Sequence, residues 1–71
     1  MSESVYSKKF WDNLERVLSD RGVSWSELAR RLEIERTSLA HAKAKHHLPR
    51  IERLIRISEV LDVTLDELLK L

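Results

Sequence analysis

The chain has 71 residues, a formal charge of +1, one glycine, one proline and no cysteine, so it is a small single domain that can bury only about 60% of its unfolded surface. Lack of cysteine excludes a disulfide framework and any thiolate metal site. No apolar run approaches the roughly 18 to 20 residues of a membrane span, and MSESVYSKKF has no signal-peptide apolar segment, which makes the cytoplasm the expected compartment.

Leu, Glu, Arg, Lys and Ala dominate, no alternating strand pattern occurs, and the expectation is five short helices in one domain over residues 1–71, with residues 1–6 as a flexible arm. From Ser7, the residues Phe10, Leu14, Val17 and Leu18 share one helical face, and Gly22 supplies a left-handed stop. A second helix runs from about Trp25 to Leu32 with Leu28, Ala29 and Leu32 inward. A third runs from about Arg36 to Ala44 with Leu39 and Ala42 inward. Pro49 precedes a fourth, whose buried stripe is read as Ile51, Leu54, Ile55, Ser58 and Leu61. The fifth covers Leu65 to about Lys70.

Three of these starts repeat one device, an apolar residue, a cap, and a leucine four residues after the cap: Val23-Ser24 with Leu28, Ile34-Glu35 with Leu39, Val63-Thr64 with Leu68. This is the hydrophobic staple. Ser24 with Glu27 and Thr64 with Glu67 add capping boxes, in which each side chain is expected to satisfy the other residue's amide. Glu35 is the weak cap of the three, since its side chain is too long to fold back as serine does.

Only Glu33, Ile34 and Glu35 separate the second and third helices, too few for an antiparallel return, so the two must cross steeply over the small Ala29. Charge concentrates just beyond this crossing. Residues 36–56 hold six cations (Arg36, Lys43, Lys45, Arg50, Arg53, Arg56) against Glu52, a net +5 that the nearly neutral total conceals. A solvated face is the ordinary reading of such a run. The third helix, at the start of this run, is itself filled with short polar and basic side chains, which is unusual for a helix of a small core.

GVSWSELARRLEIERTSLAHA followed by LPRIERLIRISEVLDVTLDELL resembles the Cro and phage-repressor helix-turn-helix family, also called the xenobiotic-response-element type, over roughly residues 10 to 69. The resemblance implies an all-α, lambda-repressor-like bundle. It also implies a transcriptional regulator of the phage or prophage repressor type that binds double-stranded DNA at a palindromic operator as a homodimer. Four departures stand out. Glu33 replaces a usual glycine, Trp25 a usual glutamine that holds a phosphate, Ala42 a larger apolar residue, and Lys43-Ala44-Lys45 a common Glu-Asn-Gly.

Matching positions make Arg36, Thr37, Ala40 and His41 the base-reading residues: arginine can take guanine bidentately, and threonine or alanine can touch a thymine methyl. Ser38 reads instead as a first-turn backbone partner. Ser24, Trp25, Lys43, Lys45, His46, His47 and Arg50 are the expected backbone contacts. The Trp25 indole offers one donor to a phosphate and a ring to pack on the first helix, and the residues alone leave both open. Leu65, Leu69 and Leu71 fall away from the Leu68 face and are the expected dimer patch. His41, His46 and His47 lack the spacing and the carboxylate of a metal site, and neither metal nor cofactor is expected. Without a phosphate-cradling glycine loop or a nucleophile beside a base, the chain does not read as an enzyme. The competing class is a helical protein-interaction module such as an antitoxin or adaptor.

Overall fold

Four helices end in the same way. The computed structural model describes residues 5–71, in which α1 is Val5–Arg21, α2 Trp25–Leu32, α3 Arg36–Ala44, α4 Ile51–Leu61 and α5 Leu65–Leu69. The first four are each followed by a residue with positive φ: Gly22 (66°), Glu33 (61°), His46 (56°) and Asp62 (57°). The amide after each of these reaches back five residues, as Val23 to Leu18 at 2.9 Å and Ile34 to Ala29, His47 to Ala42 and Val63 to Ser58 at 3.0 Å. These are Schellman closures, which satisfy carbonyls that a helix end would leave unpaired.

After three of them the chain starts the next helix at once. Gly22-Val23-Ser24, Glu33-Ile34-Glu35 and Asp62-Val63-Thr64 are one connector used three times: a left-handed residue, an apolar residue packed on the core, and a cap with extended backbone. Glu33 thus adopts the strained turn its sequence position implied. Ser24 Oγ accepts the Glu27 amide at 3.0 Å and Thr64 Oγ1 the Glu67 amide at 3.1 Å. Neither box closes reciprocally among the described residues; the Glu27 carboxylate is claimed by Arg30 and Arg31 one turn on. Glu35 makes no side-chain cap bond, as its length suggests.

The core is centred on Phe10, Leu14, Leu28, Ile57 and Leu68, all fully buried. Helix α1 packs along α5, α2 bridges α3 and α4, and α4 meets α5. A radius of gyration of 11.3 Å matches the roughly 11 Å of a compact chain this long. Asn13, buried on α1, donates to the carbonyls of Leu68 at 2.9 Å and Lys70 at 2.8 Å, tying α5 and the residue beyond it to α1.

Two expectations change. Ile51 and Ile55 are exposed (56% and 42%), and the buried stripe of α4 is Leu54, Ile57 and Leu61. Ser58 is half-buried and donates its hydroxyl to the Ile55 carbonyl at 2.8 Å. Apolar residues surround most of α4, so two overlapping stripes compete, and packing on α2 and α5 selects the one containing Ile57. The arm expected over residues 1–6 falls at 1–4 outside the described residues, while Val5 and Tyr6 already belong to α1.

Candidate nucleic-acid interface

Leu39 is the single buried residue of α3, with Ala42 half-buried beside it. With that edge inward, the helical period sends Arg36, Thr37, Ala40 and His41 outward, and all four are exposed. The four proposed readers therefore share one accessible face. Ser38 is exposed too, and its hydroxyl makes no hydrogen bond among the described residues, so it is not the backbone partner expected.

The expected backbone contacts border this face on two sides. At the start of α2, Ser24 is exposed and spends its hydroxyl on the Glu27 amide, which leaves the amides of Trp25 and Ser26 without a partner among the described residues. Amides at a helix start carry partial positive charge that favours anions. At the other side, Lys45, His46, His47 and Arg50 are exposed along the link from α3 to α4. The left-handed residue in this link is His46, one place after Lys45, whose φ is −91°. Trp11 fixes the link by donating its indole N–H to the His47 carbonyl at 3.0 Å, and the His41 and His47 rings meet edge-on at 6.2 Å.

The concentration of cations marks this region, more than their pairing, since Lys9, Arg16, Arg21 and Lys70 elsewhere also lack a carboxylate partner among the described residues. Among the described residues the ion pairs are Lys8 with Asp12 and Glu27 with Arg30 and Arg31. None involves a cation of residues 36–56. Arg30, then Arg31, holds the Glu27 carboxyl below its ordinary range by hydrogen bonding to its ionised form. The two arginines of α2 thus share one carboxylate, while those of α3 and α4 have none among the described residues.

Trp25 resolves toward packing. It is half-buried, 6.2 Å from the Trp11 ring, and Lys43 Nζ stands 5.5 Å from the centre of its ring. Packing on the first helix is one of the two expectations for Trp25, though the sequence singles out neither Trp11 nor Lys43 as its partner. Leu65 and Leu69 are partly buried against the core, which leaves Leu71 as the exposed member of the expected dimer patch.

A helix with one buried anchor, crossing a capped partner through a three-residue link and bordered by unpaired cations, is the arrangement of a DNA-reading helix-turn-helix. The family model of the Cro/C1-type HTH DNA-binding domain matches residues 13–71. The chain belongs to that family. This Cro/C1-type domain is accordingly a DNA-binding transcription regulator, and no helix of its described residues is long and apolar enough to cross a membrane. Neither the curated proteins nor the solved structures give a match.

Proposed function

We propose that this domain is a sequence-specific repressor of the phage or prophage type, acting in the cytoplasm with α3 in the major groove of duplex DNA. The observation that carries the reading is the concentration of charge at the exposed face of α3: residues 36–56 hold six cations against one acid, none of them ion-paired among the described residues, with Arg36 and Lys43 on α3 and Lys45 and Arg50 on the link that follows it. Arg36, Thr37, Ala40 and His41 read base edges. Ser24, Lys43, Lys45, His46, His47 and Arg50 set the register on the phosphates, with Trp25 packed between Trp11 and Lys43 behind them.

The operator is palindromic and the protein binds it as a homodimer. The groove lined by Tyr6, Leu48, Leu69 and Leu71 supports a dimer surface at the α5 end, wider than Leu65, Leu69 and Leu71 alone.

The test is a titration of duplex DNA at several salt concentrations. If about five cations meet phosphates, log affinity falls with log salt at a slope near −5 per protomer. Arg36→Ala is expected to cost about 1 to 3 kcal/mol on the selected site and relax one base pair, whereas Lys45→Ala weakens all sequences alike and lowers the slope by about one unit. A wild-type slope near zero overturns DNA binding. Equal loss on selected and scrambled duplexes for Arg36→Ala removes Arg36 from the readers.

A further inference from the structure

Trp25 stands between two features that the DNA reading uses separately. On one side, a slot of about 130 Å³ between α2 and α3 is lined by Trp25, Arg36, Leu39, Ala40 and Lys43, with its two cations at a floor of apolar side chains. On the other, the Trp25 ring leans on Trp11, which is 3% exposed and bonded to the His47 carbonyl. The contacts form a chain from the α3–α4 link through Trp11 and Trp25 to Lys43.

A lysine on a solvated helix has four rotatable bonds and surrenders that freedom when it binds an anion. Lys43 has surrendered part of it beforehand. Its ammonium lies within the range at which an indole face attracts a cation, and its side chain is half-buried while Lys45, two residues on, is exposed. The ring in turn is backed by a buried tryptophan and cannot swing away without disturbing the core. Attraction by a ring leaves the ammonium donors free, which an ion pair with a carboxylate would not.

We propose that this slot is a preassembled seat for one phosphodiester of the duplex, with Lys43 as its cation and Trp25 as the positioning residue that holds Lys43 at the rim, while Arg36 at the slot's edge is kept for the bases. The proposal rests on the DNA reading above. It gives Trp25 a role through Lys43 rather than a direct phosphate contact, and it makes Lys43 and Lys45 unequal although both are lysines beside the same helix end.

Four proteins test it in a double-mutant cycle on one duplex: wild type, Trp25→Leu, which keeps apolar bulk against Trp11 while removing the ring face, Lys43→Ala and the double variant. A cation held by a ring at this exposure contributes about two- to fivefold in affinity. Trp25→Leu should therefore weaken binding about two- to fivefold with the salt slope unchanged, because the charge remains. Lys43→Ala should weaken it further and lower the slope by about one unit, and the double variant should bind no worse than Lys43→Ala. Trp25→Phe should restore most of the loss. Multiplying losses in the double variant, or Trp25→Phe as weak as Trp25→Leu, overturn the positioning role. Should Trp25→Leu unfold, Trp25→Met takes its place and the same criteria apply. Proton spectra of the DNA-free protein separate this proposal from the one it rests on. Ring currents should shift the Lys43 ε-methylene protons in wild type and in Trp25→Phe but not in Trp25→Leu, and an unshifted wild type overturns the positioning whatever the DNA titration gives. A shifted wild type with a flat salt slope overturns the DNA seat and the DNA reading together.

Discussion

Helix α1 buries seven of its seventeen residues and α3 one of its nine. The helix that holds the domain together and the helix proposed to meet DNA are thus built to opposite rules. Every apolar residue of α1 from Phe10 onward is used for burial, including two of the five largest fully buried side chains, and Asn13 adds bonds to the C-terminal end. By contrast, α3 offers Leu39 to the core and leaves nearly everything else to solvent. A 71-residue chain has stability of only a few kcal/mol to lose, so separating the two duties lets the reading face vary while the core stays fixed.

The largest expected effect lies in the body. Leu14→Ala empties a fully buried site and should cost about 2 to 5 kcal/mol, enough to unfold much of the population at 25 °C. Urea denaturation followed by circular dichroism measures it; a loss below about 1 kcal/mol would mean that α1 is not the organising helix.

Asn13→Ala comes next. It removes both donations to the Leu68 and Lys70 carbonyls, and the first of those bonds is buried, so the expected cost is about 1 to 3 kcal/mol. Amide exchange should speed up first in α5, because α1 is what holds it.

How much of this was legible follows from the range over which each signal acts. Helix boundaries were, because Ser24, Thr64, Gly22 and the staples act within four residues of themselves. The exposure of Arg36, Thr37, Ala40 and His41 was, because those positions follow from the family resemblance and lie on the side of the helix away from Leu39 and Ala42. The inward face of α4 was not: Ile51, Ile55 and Ile57 are chemically alike, and only the positions of α2 and α5 choose among them. For the same reason Trp11, which binds a carbonyl 36 residues away, and the pairing of Trp25 with Lys43 could not be read from spacing.

The third prediction probes why α3 is loosely held. A cavity of about 360 Å³ lies where α3 stands off from α4, with Trp11, Leu39, Ala42, Pro49 and Ile57 among its walls. Ala42→Leu adds an isopropyl group there at about 25 cal/mol per Å² of apolar surface removed from water, and should raise stability by about 1 kcal/mol. DNA affinity should not change, since Ala42 lies away from the exposed row. Destabilisation would mean that the added carbons clash with side chains lining the space, Arg50 and Arg53 among them, and that α3 is held as tightly as the geometry permits.

The smallest expected effect concerns the connectors that join the two regions. Glu33 is exposed with φ of 61°, a conformation that costs a residue bearing a Cβ about 1 kcal/mol and costs glycine nothing. Glu33→Gly relieves that strain but enlarges the freedom of the unfolded chain by a similar amount. The two terms oppose each other, so stability should move by less than about 1 kcal/mol and DNA binding should hold, since the turn angle is unchanged. Asp62→Gly, at the matching place in the connector before α5, should behave alike. Gly22→Ala reverses the change: with φ of 66° and nothing within 4 Å of an added Cβ, steric contact contributes nothing, and the strain should exceed the entropic gain by a few tenths of a kcal/mol. Urea midpoints for the three variants decide whether one connector serves both regions. If Glu33→Gly alone loses more than about 2 kcal/mol, the helix-turn-helix link is sustained by the Glu33 side chain and is not interchangeable with the others.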